Sequence, residues 1–491
     1  MAAKHVCHLI WFRNDLRVTD NKALSSACAD PDAKVIALFT ATPKQWQQHD
    51  MAERQISFIH QNLAELQNSL AELGIPLVCQ TVANFADAAQ WVLDYAKTQQ
   101  ADALFFNRQY EWNEKQRDEW LINQPHGLHI HAFDDYLLLP PGSVTTQKGE
   151  MYQVYTPFRR AFLTQLTVTD CRSLRAPEKR AAPINIDRAS PLFPHQPIED
   201  FQQFPAGEKS ALTRLRQFCS QKVGDYQNDR DIPSIDGTSQ LSPYLAVGVL
   251  SPRQCFNRLQ AENPQVLDHP DSGAFTWLNE LVWREFYSHL LVAFPRLSRH
   301  QPFIEWTQHI HWNDSSTDFA AWKTGQTGYP IVDAAMRQLN TTGWMHNRLR
   351  MIVASFLVKD LLIDWRKGEK YFMSQLLDGS LAANNGGWQW SASTGVDASP
   401  WFRIFNPTTQ GKKFDPQGTF IREWLPELRD VPEKFIHEPH TWAESHQVSL
   451  SYPTPIVDHK QARLMTLEAF EAGKRGELTF ITPPNPQFDQ S

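Results

Sequence analysis

The chain has 491 residues, more than one hydrophobic core usually organises, so two domains are expected. Its formal charge of −7 and pI near 6.2 exclude a protein that is basic throughout, so any nucleic-acid surface must be a local patch. The 6 cysteines form no CxxC or Cys/His cluster, which predicts a cytoplasmic protein without structural zinc. No apolar run of membrane-spanning length and no signal-peptide core is present, which predicts a soluble protein without a membrane partner.

The first part of the chain alternates short β-like runs with helical runs. Strands are predicted at 5–12, 34–40, 76–82 and 103–107, and helices at 21–29, 52–73 and 84–98. This order is typical of a Rossmann-like parallel α/β sheet, in which a nucleotide or planar cofactor lies at the carboxyl ends of the strands. Neither GxGxxG nor GxxxxGK[ST] occurs, which excludes the dinucleotide fingerprint and the P-loop.

The remaining sequence changes character twice. Residues 135–204 are rich in proline, so we interpret them as an extended interdomain connector. Helical periodicity then dominates, and the final ITPPNPQFDQS is typical of a disordered tail. The predicted organisation is an α/β domain over 1–134, the connector over 135–204, an all-helical domain over 205–475 and a tail over 476–491.

Indoles and polar side chains are interleaved between Trp344 and Asp415. A core built for stability favours aliphatic residues, because a buried indole N–H, amide or guanidinium needs a partner. Aromatic faces beside polar groups suit a planar, polar, redox-active ligand. This feature therefore predicts a cofactor site in the helical half.

One helix in that half carries four candidate residues on a single face. In FTWLNELVWREFYSHLL, Trp277, Glu280, Trp283 and Arg284 lie at i, i+3, i+6 and i+7. An amphipathic core helix, with Glu280 solvated or paired with Arg284, is the more frequent explanation of such a pattern. A second helix of the same kind favours a ligand between helices instead.

That second helix is WMHNRLRM, where Trp344, Asn347, Arg348 and Met351 fall within a turn and a half. A third candidate is the segment GTSQLSPYL, whose hydroxyls precede a helix. Hydroxyls and backbone N–H groups there suit phosphate oxygens, although a plain helix cap is an equally good explanation.

Eight motifs in a fixed order resemble those of the photolyase/cryptochrome family. They are WFRNDLR, GTSQLSPYL, WLNELVWREFY, TGYPIVDAAMRQL, GWMHNRLRM, DWRKGEKYF, NNGGWQW and FNPTTQGKKFD. The similarity is greatest to the bacterial class I cyclobutane pyrimidine dimer photolyases and covers the chain to about residue 475. It implies an N-terminal α/β domain, a C-terminal all-helical domain that binds FAD, and light-driven repair of DNA.

The resemblance implies two groups of FAD contacts. Those around the phosphates and ribityl chain are Tyr226, Thr238, Ser239, Gln240, Leu241 and Ser242. Those around the rings are Trp277, Arg284, Arg350, Asp378, Ser380 and Asn384. Asn384 is expected opposite the flavin N5, and Arg350 and Asp378 as an ion pair beside the ring. Gln240 replaces a basic residue and Ser380 an aspartate, departures that concern affinity rather than chemistry.

The implied substrate is UV-damaged DNA, whose dimer must flip out of the duplex to reach a buried flavin. The matching lesion contacts are Glu280, Trp283, Asn347, Met351 and Trp390, and the matching phosphate contacts are Arg230 and Arg348. The indoles are expected to stack on the lesion and Met351 to form the floor of the pocket. Glu280 is expected to hydrogen-bond the bases and to stabilise the charge that develops on the dimer.

Three further tryptophans match a chain that carries an electron inward to photo-excited, oxidised flavin. They are Trp388, Trp365 and Trp312, with Trp312 at the solvent side. Taken one at a time, each is more often a packing residue, but as a set they match the family order.

A second chromophore is expected in the first domain. The positions that match antenna contacts are His49, Asn113, Glu114 and Arg299, the last where lysine is frequent. They imply a 5,10-methenyltetrahydrofolate antenna, with a deazaflavin as the alternative.

The expected function is therefore repair of cyclobutane dimers by a blue-light electron transfer from reduced FAD, without a metal. A cryptochrome-type photoreceptor is the alternative, disfavoured by the complete set of lesion contacts and the lack of a long C-terminal extension. The (6–4) repair enzymes are disfavoured because Asn347 and Met351 stand where paired histidines are expected. A glycosidase that uses Glu280 and Glu285 is disfavoured because those carboxyls point to different faces of one helix. We expect a monomer without an obligate protein partner, associated with the nucleoid when bound to DNA.

Overall fold

The computed structural model describes residues 6–125, 127–180, 192–195 and 203–477. The chain forms two compact units. Unit 1 comprises Met1–Arg230, Asp236–Arg299 and Phe372–Asn384, and unit 2 comprises Asp231–Ile235, His300–Tyr371 and Asn385–Ser491. These units do not coincide with the domains predicted from the sequence, because unit 1 combines the sheet with several helices from the second half. Residues 478–491 of the predicted tail lie outside the described residues.

Unit 1 contains a five-stranded parallel sheet. Its strands are β1 (Cys7–Phe12), β2 (Lys34–Ala41), β3 (Leu77–Thr81), β4 (Ala103–Asn107) and β5 (His129–Phe133). They lie in the order β3-β2-β1-β4-β5, and the central strand pairs Leu9 with Ile36 on one side and with Leu104 on the other. The predicted parallel sheet is confirmed. The sequence missed β5, an edge strand whose HIHAF lacks an apolar run.

Five helices accompany these strands. They are α1 (Lys22–Ala27), α2 (Pro43–Gln48), α3 (Glu53–Glu72), α4 (Phe85–Thr98) and α5 (Trp112–Asn123). The predicted helices at 21–29, 52–73 and 84–98 are confirmed as α1, α3 and α4. The sequence missed α2, which is short, and α5, which is mostly charged and polar along its length.

The predicted connector requires a correction, because it contains a helix, α6 (Tyr155–Val168). Its buried residues recur every three or four positions and are Tyr155, Phe158, Phe162 and Leu166. This stripe packs on a later helix, since the Phe158 and Phe286 rings lie 5.0 Å apart. The proline-rich sequence around the helix concealed it. Residues 181–191 and 196–202 of the connector lie outside the described residues.

The helical prediction for the second half is confirmed. The helices are α7 (Glu208–Gln221), α8 (Tyr226–Asp229), α9 (Ser242–Ala246), α10 (Pro252–Glu262), α11 (Gly273–Ala293), α12 (Ser316–Thr324), α13 (Pro330–Thr342), α14 (Asn347–Ser355), α15 (Trp365–Gln375), α16 (Leu381–Ala392), α17 (Pro407–Phe414), α18 (Thr419–Trp424), α19 (Pro439–His446) and α20 (His459–Arg475). A π-helical segment, Phe356–Asp360, follows α14. None of the helices in the described ranges is long and apolar enough to span a membrane.

A buried ionic network fixes α10 within unit 1. Arg253 pairs with Asp20 at 3.0 Å and with Asp135, and Arg17 also pairs with Asp135. All four side chains are buried, so each charge depends on its partners for the hydrogen bonds that water would otherwise supply. The network ties the loop after β1 and the start of the predicted connector to α10.

Candidate cofactor and substrate site

The candidate residues fall in both units. Unit 1 carries the antenna positions, the GTSQLSPYL segment, the face of α11 and the segment from Asp378 to Asn384. Unit 2 carries α14, the three chain tryptophans and Trp390.

The indoles of α11 have different surroundings. Trp277 is 3% exposed and its ring lies 5.1 Å from that of Phe218. Trp283 is half-buried and stacks face to face on Tyr155, with ring centroids 3.5 Å apart and planes 5° apart. Tyr155 therefore covers one face of Trp283 and closes that face to a ligand. The sequence missed Tyr155 because it lies in the predicted connector.

Glu280 on the same helix forms an ion pair with Arg230, which follows α8. Both side chains are partly exposed, and the Arg230 guanidinium also lies 5.7 Å over the Tyr226 ring. The pairing of Glu280 with Arg230 was not anticipated. The expected lesion contact Glu280 and the expected phosphate contact Arg230 thus bind each other in the structure.

Arg284 is anchored to the segment after β5. Its Nη1 donates to the Tyr136 carbonyl oxygen at 3.0 Å, and its Cζ lies 4.1 Å over the Tyr136 ring. The next residue, Glu285, is fully buried and accepts hydrogen bonds from the backbone N–H groups of Leu138 and Leu139. Burial raises the pKa of Glu285 to about 7. A carboxyl used in this way anchors the chain and is closed to a substrate, which excludes the glycosidase alternative.

The GTSQLSPYL segment does not cap its helix. The helix α9 that follows has only 5 residues and no side-chain cap. Within the described part of the chain, the hydroxyls of Thr238, Ser239 and Ser242 make no hydrogen bond to another residue. The capping explanation is therefore wrong for this segment. Three neighbouring hydroxyl donors that the protein does not use fit a phosphorylated cofactor such as FAD.

Gln240 in the middle of this segment has a basic neighbour. Its Oε1 accepts hydrogen bonds from Arg214 Nη1 at 3.1 Å and Gln203 Nε2 at 3.2 Å. Its φ of 49° lies in the left-handed region that favours glycine, and these contacts help to hold it there. Arg214 thus brings a positive charge to the position where a basic residue was expected at 240. Sequence comparison by position missed Arg214 because it lies on α7.

The segment from Asp378 to Asn384 begins and ends on a buried residue and is held by hydrogen bonds. Asp378 and Asn384 are each 8% exposed. Gln55 on α3 donates to the Gly379 carbonyl oxygen at 2.8 Å, and the Asn384 N–H donates to the Ser380 carbonyl oxygen at 2.9 Å in the first turn of α16. A rigid backbone around a buried amide is suited to fixing the orientation of that amide towards a ring atom.

The predicted antenna positions come together in unit 1. His49 Nε2 lies 2.8 Å from Asn113 Nδ2, and His49 Nδ1 lies 3.7 Å from Glu114 Oε1. Arg299 is close by, because its Cζ lies 5.5 Å over the ring of Trp112, the residue before Asn113. The structure therefore gathers all four positions, although they are up to 250 residues apart in the sequence.

Two further residues belong to this cluster and were missed. Gln45 Nε2 lies 3.0 Å from His49 Nε2, and the partly exposed Glu111 lies close enough to Glu114 for their charges to interact. Burial, followed by the charge of Glu114, raises the pKa of Glu111 to about 7, and burial also raises the pKa of Glu114. A mixed set of amide, imidazole and carboxyl groups suits a nitrogen-rich heterocycle that both donates and accepts hydrogen bonds.

A separate cleft lies at the carboxyl ends of β1 and β4, where the strand order reverses. It is small and open to solvent. Its lining is polar and consists of Asn14, Asp15, Arg17, Asn107, Arg108, Gln109, Asp135 and Tyr136. This is the edge of a parallel sheet where ligands usually bind and where the sequence predicted a cofactor.

In unit 2, the helix α14 begins at Asn347, which is exposed, and presents Arg348 and Met351 in its first turns. Arg350 Nε donates to the Met345 carbonyl oxygen at 2.9 Å. Trp344 precedes the helix and does not share its face, which corrects the predicted helix over WMHNRLRM. Trp390, on α16, is partly exposed, as a stacking surface requires.

The three tryptophans of the predicted electron-transfer chain differ in exposure as expected, with the outer one more exposed than the two inner ones. Trp388 and Trp365 are 2% and 1% exposed, whereas Trp312 is partly exposed and packs edge-on against Phe470 at 6.0 Å. A parallel bridge between Asn313 and Ile363 joins the segment after Trp312 to the segment before Trp365. These observations support the order in which Trp312 is the outer member. Electron transfer itself stays a prediction.

The packing around Trp388 leads to a stability prediction. A Cβ added to Gly368 would meet the Trp388 ring at 2.2 Å and Leu357 at 2.6 Å. Both neighbours are fully buried, so Gly368→Ala is expected to lower the free energy of unfolding by about 1–3 kcal/mol or to displace the indole. The control is Gly224→Ala, whose added Cβ meets nothing within 4 Å in the described chain. Denaturant unfolding checks the prediction, and equal stability of the two variants would contradict it.

The structure combines a parallel α/β sheet with a set of helices, and buried polar groups lie among indoles in those helices. These features define the class of protein, which has two parts and binds a planar cofactor in its helical part. A family profile described as the FAD binding domain of DNA photolyase matches residues 277–472, and one described as DNA photolyase matches residues 8–180. The chain belongs to the DNA photolyase family. This result confirms the resemblance, the fold class and FAD as the cofactor.

Relatives and solved structures agree with this assignment. The deoxyribodipyrimidine photo-lyase of Salmonella typhimurium is 55% identical over 471 residues, covering 96% of this chain and 99% of the relative. That of Escherichia coli is 53% identical over 472 residues with the same coverage. Among solved structures, a class III photolyase from Agrobacterium tumefaciens has a TM-score of 0.85 at 36% identity, covering 97% of this chain and 99% of that chain. A Synechocystis cryptochrome has a TM-score of 0.84 at 29% identity, covering 95% of this chain and 100% of that chain.

Proposed function

We propose that the chain repairs cyclobutane pyrimidine dimers in DNA by light-driven electron transfer. The observation that carries the proposal is the exposed part of α11. Glu280 and Trp283 are both partly exposed there. Arg230 forms an ion pair with Glu280, and Tyr155 stacks on Trp283. An acid next to an aromatic face is what a flipped-out pyrimidine dimer requires, because its two linked bases stack on the ring and hydrogen-bond to the carboxyl.

Bound FAD supplies the light absorption and the electron, and the residues of the chain bind and orient it. The unused hydroxyls of Thr238, Ser239 and Ser242 would hold the phosphates, and Arg214 would add a positive charge beside them. Asn384, with its backbone fixed by α16, would face the flavin N5 and accept or donate a hydrogen bond without adding charge. The assignments of Arg350, Asp378 and Ser380 rest on their family positions.

For the antenna, the cluster around His49 favours a folate over a deazaflavin. It offers two amides within hydrogen-bond distance of the His49 imidazole and the Glu114 carboxyl 3.7 Å from that ring, and Arg299 lies beside it. A solved photolyase from Sulfolobus tokodaii, with 31% identity and a TM-score of 0.78, is described with two FAD molecules. The absorption spectrum of the purified protein, before and after denaturation, identifies both chromophores.

A cryptochrome-type photoreceptor is the second candidate, because a cryptochrome shares this architecture. The relatives of highest similarity described above favour repair, since both are deoxyribodipyrimidine photo-lyases that match over 96% of this chain. The proposal also places the enzyme in the cytoplasm as a monomer, on the nucleoid when it is bound to DNA. The bacterial origin of these relatives supports the location.

Binding in the dark tests the substrate. We expect the protein to bind a duplex with one cyclobutane dimer more tightly than the same duplex with a (6–4) lesion or no lesion. Trp390→Ala is expected to weaken binding of the dimer duplex by about tenfold, because stacking on one base contributes about 1–3 kcal/mol, and to leave undamaged duplex nearly unaffected. The control is Trp442→Ala, which removes another partly exposed indole. Equal weakening of all three duplexes by Trp390→Ala would remove that tryptophan from the lesion pocket.

A further inference from the structure

Arg348, the expected phosphate contact of unit 2, forms a two-point ion pair with Asp231. Its Nη2 lies 2.8 Å from Asp231 Oδ2 and its Nε lies 3.3 Å from Asp231 Oδ1. The two side chains are 18% and 34% exposed, so the pair is open to solvent at one edge. A carboxylate held by two guanidinium N–H groups imitates the geometry with which arginine binds a phosphate.

Two other contacts fix the guanidinium independently of Asp231. Its Cζ lies 4.4 Å over the ring of Phe414, and its Nη1 lies 3.7 Å from Met351 Sδ. The planar group is therefore supported on one face by an aromatic ring and at one corner by a residue expected to contact the lesion. Because neither contact involves Asp231, Asp231 is not the only group that orients Arg348.

We propose that Asp231 is an intramolecular competitor that occupies the phosphate site of Arg348 until DNA displaces it. The inference rests on the proposed function, because it takes a DNA phosphate as the second ligand of Arg348. The phosphate has to replace the carboxylate on the same two N–H groups, and the displaced carboxylate is left near the incoming backbone. Asp231 thereby lowers the affinity for any duplex.

This competition acts on the contact that carries no sequence or damage information. Phosphate contacts contribute to damaged and undamaged DNA alike, whereas the lesion pocket contributes to damaged DNA only. Undamaged DNA is in large excess in a cell, so weaker phosphate binding leaves more of the protein free to reach a lesion. The preference for damaged over undamaged DNA is set elsewhere and stays unchanged.

The test is a salt titration of DNA binding by Asp231→Asn, Arg348→Ala and the double variant, on matched duplexes with and without one dimer. Asp231→Asn is expected to tighten binding of both duplexes about two- to fivefold, the range that loss of one partly exposed carboxylate competitor allows. The slope of the logarithm of its binding constant against the logarithm of salt concentration should steepen by about one unit, because one more phosphate is fully neutralised. The double variant should bind like Arg348→Ala alone.

The matched control is Glu427→Gln, which removes the same charge from another two-point ion pair of unit 2. Arg337 holds Glu427 at 2.7 and 3.1 Å, and both side chains are similarly covered. This variant should leave DNA binding unchanged, and flavin absorption and the melting temperature verify that every variant is folded.

Three results would overturn the proposal in different ways. Weaker binding by Asp231→Asn would mean that Asp231 positions Arg348 for DNA. A gain that persists in the Arg348→Ala background would mean a general charge effect. No effect of Arg348→Ala on either duplex would remove Arg348 from the DNA surface, which contradicts its role in the proposed function as well.

Discussion

Trp312→Phe is expected to remove most of the photoreduction of bound, oxidised FAD by an external thiol. The outer indole is the chain tryptophan that is partly exposed, whereas Trp365 and Trp388 are buried. Phenylalanine fills most of the space against Phe470 but is a much poorer electron donor. Repair by chemically reduced enzyme should be unchanged, because it starts from flavin that already carries the electron. Flavin absorption during illumination measures the first effect, and dimer loss measures the second.

The matched control for this variant is Trp306→Phe. Trp306 is also partly exposed and also contacts Phe470 edge-on, with ring centroids 6.4 Å apart, but it has no place in the predicted electron chain. It should keep normal photoreduction. If Trp312→Phe keeps normal photoreduction too, another route supplies the flavin, and if both variants lose it, the packing around Phe470 rather than one indole is required.

Glu280→Ala is expected to reduce the number of dimers repaired per absorbed photon severalfold. A hydrogen bond to a charged group contributes about 1.5–3 kcal/mol, so losing the carboxyl should slow splitting of the dimer by about tenfold or more. Return of the electron from the unsplit dimer to the flavin then competes more effectively with splitting of the dimer. The quantum yield, measured with chemically reduced enzyme at saturating DNA, tests this expectation directly.

The ion pair with Arg230 adds a second expectation for the same variant. Removal of Glu280 releases Arg230, so binding of undamaged duplex should be equal to or tighter than that of the unmodified protein. Glu280→Gln is the control, because the glutamine amide can still hydrogen-bond to the bases but lacks the charge of the glutamate. It should release Arg230 equally but keep more of the quantum yield than Glu280→Ala. Equal yields in both variants and the unmodified protein would remove Glu280 from catalysis.

The sequence predicted well what a local pattern determines. Buried strands such as β1 and β4 are continuous apolar runs, and helices such as α3 and α4 have a clear period, so their positions could be predicted. The helix α6 was missed because its buried stripe at Tyr155 and Phe158 lies in sequence dominated by proline. The edge strand β5 was missed because HIHAF has only 5 residues, includes two exposed histidines and lacks an apolar run.

The candidate site was predicted largely through family motifs, and its partners were not. No local pattern connects Glu280 with Arg230 or Arg348 with Asp231, since each pair is 50 or more residues apart. Such contacts depend on how helices pack, which composition and periodicity do not specify. The same reason explains why Arg214 and Tyr155 were missed, since their importance lies in the residue they touch in space.

The most direct test of light-driven repair uses a duplex with one thymine cyclobutane dimer and chemically reduced enzyme. The dimer is counted by chromatography after blue light or darkness, with a (6–4) duplex treated in parallel. We expect the cyclobutane dimer to be lost only in the light, with intact thymines restored, and the (6–4) lesion to persist. A dimer that survives illumination while reduced FAD is bound, or that is lost equally in the dark, would contradict the account.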